Sequence, residues 1–272
     1  MAKTRTVVVT GSASGMGAAT KARLEADGQR VIGVDLRDAD VMADLGSVDG
    51  RQAAIDAVRD QAGGAIDGLV TWAGVAGLTA TPGNLLASVN YFGSVALLEG
   101  LRPLLANGDR PAAVAISSNS TTCQPGVPMD VVEHCLAGDE AAARAAADAA
   151  GAMATYPATK TAIAWWVRRH APTDDWAGAG ITLNVVAPGA VETPLLQATR
   201  EDEVIGQFVD AFPIPVGRKG TAEELAAFVA FLLGPEARFF CGSVVFVDGG
   251  SDASMRADDF PMPMRRRQAT SG

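Results

Sequence analysis

The order of elements in this 272-residue chain predicts an α/β fold, a single doubly wound parallel sheet flanked by helices on both faces. Three observations predict it. Short β-branched runs without polar alternation recur along the chain, as expected of strands buried on both faces. Segments with helical spacing separate them, several opened or closed by glycine. No repeat, linker or shift in composition interrupts the series, so parallel pairing through right-handed crossovers connects it.

The elements follow in order. "RTVVVT" (5–10) is the first strand. "GSASGMGAATKARLEADG" (11–28) opens with glycines, continues as a helix with Ala19, Ala22, Leu24 and Ala26 as small or apolar positions, and stops at Gly28. "RVIGVD" (30–35) is the second strand, followed by a helix over about 47–61 and the strand "GLVTWAG" (68–74). A long helix over about 84–106 leads to the strand "AAVAIS" (112–117). An Ala-rich segment (137–152) and a helix bearing Tyr156 and Lys160 come next, then "GITLNVVAPG" (180–189) as strand and turn. A last helix over about 222–233 precedes the strand "SVVFVDGG" (243–250). This makes one domain, 1–250, with a C-terminal tail, 251–272.

Composition excludes several classes of function. Hydrophobic residues make up 48% of the chain, enough for a sizeable core, yet no apolar run reaches the ~18 residues of a membrane span. The chain enters its first strand at once, with no signal peptide, so a cytoplasmic location is expected. A net charge of −9 argues against a nucleic-acid partner, and the basic run at 265–267 reads as solvated tail. Cys123, Cys135 and Cys241 follow no metal spacing and are expected as thiols; His134 and His170 lie far apart. No metal site is expected.

Two features point to a dinucleotide. "TGSASGMG" sets Gly11, Gly15 and Gly17 between a strand and a helix, where a tight turn brings backbone N–H groups and the helix N-terminus to a pyrophosphate. The spacing is not the usual G-x-G-x-x-G. Asp35 then ends the second strand, 18 residues beyond Gly17, where a carboxylate would bind ribose hydroxyls and repel a 2′-phosphate. Leu36 follows it, and Arg37 comes two residues on. NAD(H) is therefore favoured over NADP(H).

Tyr156 and Lys160, four apart, share one helix face. A free phenol has a pKa near ~10, and a neighbouring ammonium favours its phenolate. Lowering it by about three units takes roughly 4 kcal/mol, which one cation in a partly desolvated cleft, helped by a cofactor's positive nicotinamide, can supply. Such a phenol could exchange a proton with an alcohol or ketone during hydride transfer.

With these motifs in order, the chain resembles the short-chain dehydrogenase/reductase family over almost its whole length. "TGSASGMG" is similar to its TGxxxGxG turn, "YPATK" to YxxxK, "AISS" to its serine strand, and "LNVVAPGAVETP" to its strand-and-PG motif. The resemblance implies a Rossmann-type sheet with Tyr156 as general acid/base and Lys160 lowering its pKa while binding the nicotinamide ribose. It implies Ser118 as partner of the substrate oxygen, with Ser117 and Ser120 as competitors, and Asn90 as holder of a water in a proton relay. Ser14 and Met16 would contact the cofactor in the turn, and Leu36, Asp44 and Leu45 on its adenosine side. Ala73 and Gly74 would lie beneath it, and Pro188, Gly189, Ala190, Val191 and Thr193 would cover the nicotinamide.

Two departures stand out. Trp72 occupies the place of the family's asparagine in Asn-Ala-Gly, and Ser118 and Tyr156 are separated by a helical insertion at about 122–150. That insertion, with "GVDLRDADVMADL" and "SVNYFG", resembles bacterial 3α-hydroxysteroid dehydrogenase/carbonyl reductases. It could cover the helix over 84–106, which would favour a dimer through the last helix and strand over a tetramer. Residues 119–128 and 194–215 are expected to wall the substrate site, with Leu195, Leu196, Ile205, Phe208, Val209, Phe212 and Pro213 suiting an apolar alcohol or ketone. Trp165 and Trp166 read as core or subunit contact. The resemblance implies a hydroxysteroid-like substrate; a smaller secondary alcohol, terpene or aromatic ketone is the alternative, and a non-catalytic NAD-binding regulator is the reading from another class.

Overall fold

The computed structural model describes residues 4–261. Its strands are β1 (Thr6–Thr10), β2 (Arg30–Asp35), β3 (Val41–Met42), β4 (Gly68–Thr71), β5 (Ala112–Ile116), β6 (Thr182–Pro188), β7 (Val191–Glu192), β8 (Gly220–Thr221) and β9 (Val244–Val247). Seven form one parallel sheet in the order β3-β2-β1-β4-β5-β6-β9, and β7 pairs with β8 beside it. The expected doubly wound sheet is therefore present.

The absence of polar alternation has a direct structural counterpart. Val8 faces one core with Ile32, Leu69 and Ala113, while Val7 and Val9 face the other with Val70, Val114 and Ile116. Helix α1 (Gly15–Ala26) and the late helix over residues 222–233 cover the second face, packing through Leu24, Leu225 and Val229. Helix α2 (Val48–Ala62) lies on the first. Ser47 caps it by accepting from the Gly50 N–H at 3.0 Å, and Gly63, at φ 66°, ends it.

The helix expected over 84–106 is three pieces. Helix α3 (Gly83–Leu86) passes into a π-helical segment, Ala87–Gly93, before α4 (Ser94–Ala106). The widened turn carries Asn90, fully buried, whose side chain is bound outside the helix.

After α5 (Ser120–Cys123) the insertion forms α6 (Met129–Ala137) and α7 (Glu140–Ala150). The Ala-rich helix starts later than expected because Gly138, at φ 74°, closes α6, and Asp139 caps α7 by accepting from the Ala142 N–H at 3.0 Å. Helix α7 grips the start of the broken helix. Asp148 accepts from the Asn84 backbone and side-chain N–H groups at 2.7 and 2.8 Å, and Glu140 accepts from the Ser88 hydroxyl at 3.1 Å and from buried Arg51 at 2.7 Å. The insertion thus covers 83–93.

Helix α8 (Ala152–His170) bears Tyr156 and Lys160. The tryptophan pair splits: Trp166 is buried and stacks on His170 at 4.1 Å, whereas Trp165 is half-exposed. Helices α9 (Pro194–Glu201) and α10 (Gly206–Val209) form a flap after β7; α11 (Ala222–Leu233) opens with a capping box between Thr221 and Glu224.

The boundary expected at 250 falls inside the fold. Helix α12 (Ser251–Met255) buries Ser251 and Asp252, and the Ser251 hydroxyl donates to the Pro213 carbonyl at 2.7 Å. Chain continuity and this packing keep 251–255 with the sheet; the basic run at 265–267 lies outside the described residues. Among the described residues no helix is long and apolar enough to cross a membrane.

Candidate active site

In a parallel sheet the loops at the carboxyl ends of the strands gather where the strand order reverses. Here that point lies beside β1, and a cleft of 260 Å³ opens over it. Gly11, Ser14, Gly15, Met16 and Gly17 line it from the first turn, Asp35 and Leu36 from the end of β2, Asp44 and Leu45 beyond β3, and Ala73, Gly74 and Thr193 from the far side.

The three glycines serve different needs. A Cβ at Gly17 would lie 2.0 Å from the Gly11 carbonyl oxygen, so glycine there lets α1 start against the turn. Gly11, at φ 68°, passes so close to Ala73 that a Cβ would meet its nitrogen at 2.8 Å. Gly15 has room but adopts φ 53°, which aims the first turn of α1, with its unpaired N–H groups, into the cleft. Packing within the protein, as well as approach to a ligand, thus explains the pattern.

The Asp35 carboxylate accepts from the Ala13 N–H at 2.9 Å and the Leu36 N–H at 2.7 Å, one on each oxygen. Each oxygen retains acceptor capacity toward the cleft. Arg37 is exposed and does not line it. An anion-ready helix start followed by a carboxylate fits a dinucleotide with free ribose hydroxyls.

Trp72, which departs from the expected asparagine, forms part of the floor. It is 8% exposed, and its indole N–H donates to the Thr20 hydroxyl at 2.9 Å, tying β4 to α1. Asn90 acts from the π-helical turn as a clip. Its Oδ1 accepts from the Val75 N–H at 2.8 Å, and its Nδ2 donates to the Val75 carbonyl at 3.0 Å. Both polar ends of the side chain are engaged in fixing the loop after β4.

A recess sharing Gly74, Thr193 and Leu195 with this cleft holds Ser118, Tyr156 and Lys160, with Pro188, Gly189 and Val191 opposite. The three serines separate by direction. The Ser117 hydroxyl turns into α8 and donates to the Lys160 carbonyl at 2.9 Å; Ser118 lines the recess; Ser120 lines the neighbouring cleft. The Lys160 ammonium lies 5.8 Å from the centre of the Tyr156 ring and donates to the Ile116 carbonyl at 3.2 Å. Burial pushes Lys160 down to about 8. Burial also pushes the Tyr156 phenol up, while the Ser118 hydroxyl pulls it back. The lowering of Tyr156 expected from Lys160 must overcome that desolvation. Thr193 caps α9, accepting from the Leu196 N–H at 3.3 Å.

A third cleft, 250 Å³, meets the recess at Tyr156. The expected walls come together there: Asn119, Ser120 and Gln124 on one side, and Leu195, Leu196, Thr199, Ile205, Phe208, Val209 and Phe212 on the flap. Pro213 instead accepts from Ser251. Ala76, Gly77 and Met153 also line the cleft and escaped the sequence reading. Helical spacing could have found Met153, three residues before Tyr156; nothing local marks the other two. Cys123 and Cys135 are buried free thiols, and burial lifts Cys135 to about 12.

Comparison with known proteins identifies relatives along nearly the whole chain. A family profile described as Enoyl-(Acyl carrier protein) reductase matches residues 140–252. The chain is 41% identical over 257 residues to 3-alpha-hydroxysteroid dehydrogenase/carbonyl reductase of Comamonas testosteroni, covering 93% of this chain and 99% of that one. It is 32% identical to coniferyl-alcohol dehydrogenase of a Pseudomonas species, covering 90% and 95%. The crystal structure of 3-alpha-hydroxysteroid dehydrogenase from Pseudomonas sp. B-0831 complexed with NADH superimposes with a TM-score of 0.89 at 49% identity, covering 93% of this chain and 99% of that one. Identity at this level along nearly the whole length, on this sheet order, makes the chain a member of the short-chain dehydrogenase/reductase family.

Proposed function

We propose that the protein is an NAD(H)-dependent oxidoreductase that interconverts a secondary alcohol and a ketone on an apolar, hydroxysteroid-like substrate. One observation carries the reading: the Tyr156 phenol, the Ser118 hydroxyl and the Lys160 ammonium face one recess between a dinucleotide-shaped cleft and an apolar one. The names of two similar relatives support the substrate class, and the NADH complex of one supports the cofactor.

Bound NAD(H) would supply or accept the hydride. The chain's residues do the rest. Ser118 hydrogen-bonds the substrate oxygen and orients its carbon. Tyr156 gives a proton to that oxygen in reduction and takes it in oxidation. Lys160 would bind the cofactor's ribose and adds positive charge beside the phenol. The Gly11–Gly17 turn and the start of α1 would hold the pyrophosphate, and Asp35 the adenosine ribose. Leu36, Asp44 and Leu45 would flank the adenine, and Thr193 with the Pro188–Gly189 turn would cover the nicotinamide. Asn90 holds Val75, and through it the wall beside Tyr156.

A cytoplasmic homodimer through α11 and β9 fits the exposed surface. Strand β9 is only part-buried, and Phe239 beside it is fully exposed. Light scattering tests this part; a tetramer would refute it. For the chemistry, Tyr156→Phe should lower kcat by orders of magnitude while NADH still binds, followed by nicotinamide absorbance and fluorescence titration. Retained turnover would remove Tyr156 from the reaction. A strong preference for NADP+ would overturn the role given to Asp35.

A further inference from the structure

The two walls of the apolar cleft are joined across its mouth. One wall is the loop after β4, where Ala76 and Gly77 line the cleft; the other is the flap of α9 and α10. Asp202, at the end of α9, reaches from the second to the first. Its Oδ2 accepts from the Thr79 N–H at 2.7 Å, and its Oδ1 accepts from the Thr79 hydroxyl at 2.8 Å. The same Oδ1 accepts from the N–H groups of Val204 and Ile205, both at 3.0 Å, at the turn that leads into α10. One carboxylate thus sets the bend of the flap and fastens it.

The two walls differ in how firmly they are held. The first is anchored twice: Asn90 clips Val75, and Gly77 lies so close to α8 that a Cβ there would be 2.9 Å from the Tyr156 Cβ. The flap is held at its base by Arg200, paired with Glu192 at 2.9 Å and Asp210 at 3.6 Å, and by Asp210 with Lys219. No residue of α9 is buried, and Phe208 is 58% exposed, so little core packing holds the flap's outer part. Thr79 lies two residues beyond Gly77, and Asp202 lies between the lining residues Thr199 and Ile205.

We propose that Asp202 and Thr79 form a latch that holds the apolar flap against the wall beside Tyr156, making Asp202 a positioning residue for bulky substrates. It acts through Ile205, Phe208 and the leucines of α9, and touches no reacting atom. The inference rests on the substrate reading above in taking a steroid-sized substrate to fill the flap cleft. The donors from Ile205 and Thr79 hold the Asp202 carboxyl down at about 2, so the latch stays charged across the working pH range.

Asp202→Asn separates the latch from the cap. An amide oxygen can still accept from Val204 and Ile205, but the amide N–H₂ then confronts the Thr79 N–H, donor against donor. Thr79→Ala removes the hydroxyl bond alone. The test compares both variants with the parent on a steroid 3-ketone and on cyclohexanone, and follows tryptic cleavage after Arg200. Loss of a charge-assisted hydrogen bond predicts about a tenfold to hundredfold drop in kcat/KM for the steroid ketone in Asp202→Asn, mostly through KM. Cyclohexanone, too small to reach the flap, should change by less than about twofold on the same grounds. Cleavage after Arg200 should accelerate about tenfold as the flap is released. Equal losses on both ketones, or unchanged cleavage, would overturn the latch. If the parent ignores the steroid, the substrate reading fails, and the cleavage rate alone decides the latch.

Discussion

Asn90→Ala distinguishes a clip from a proton relay. The substitution removes two hydrogen bonds, of 2.8 and 3.0 Å, to the N–H and carbonyl of one residue, Val75. Asn90 is fully buried, so water does not readily replace the lost side chain; Val75 is part-buried, so its orphaned groups regain some solvation. Each unsatisfied buried group costs about 1–3 kcal/mol, giving roughly 2–5 kcal/mol for the pair. In a domain of this size each kcal/mol moves Tm by about 2–4 °C, so the variant should melt roughly 4–20 °C lower. Differential scanning calorimetry measures the shift, and NADH titration then reports whether the cleft floor has loosened. A variant with parental Tm and parental NADH affinity but little turnover would refute the clip as the main role and restore the relay.

Other outcomes follow from the same geometry. Gly17→Ala drives a Cβ to 2.0 Å from a backbone oxygen that cannot rotate aside, and should destabilise by about 3 kcal/mol or fail to fold; Gly15→Ala, whose Cβ has 3.6 Å of room but a left-handed backbone, should fold at a cost of about 1 kcal/mol, as thermal melts will show. Burial raises the Tyr156 phenol, so it keeps its proton at neutral pH and serves ketone reduction there. Alcohol oxidation needs the phenolate, so its kcat/KM should climb with pH above neutrality and level off once Lys160, at about 8, loses the charge that favours the phenolate; a fall between pH 7 and 8 would contradict the assignment. Glu140→Gln leaves buried Arg51 without its carboxylate and should cost about 1–3 kcal/mol in urea unfolding, with the NADH affinity falling as the π-helical segment loosens.

The sheet was legible because its strands are buried on both faces: TVVVT and GLVT leave no polar alternation to misread, and glycines or aspartates mark their ends. The cofactor cleft was legible for a related reason, since Gly11 to Gly17 and Asp35 act through backbone geometry that the sequence displays locally. The break at 87–93 was not, because Ser88 and Asn90 take their partners from Arg144, Glu140 and Val75, none of them within a helical turn. Only their polarity inside an apolar helix hinted at outside bonds. Thr79 and Asp202, 123 residues apart, left no sign at all. The placement of Trp72 was uncertain from sequence, because its indole partner, Thr20, belongs to a different element.

Helix α1 opens the cofactor cleft, yet its buried side leans on α11, two hundred residues later, and β6 gains its outer neighbour only with β9. During synthesis the dinucleotide turn therefore emerges long before anything covers the back of its helix. A nascent chain stalled near residue 215 should bind NADH poorly and attract chaperones, and competence should appear abruptly once α11 and β9, residues 222–247, have left the ribosome.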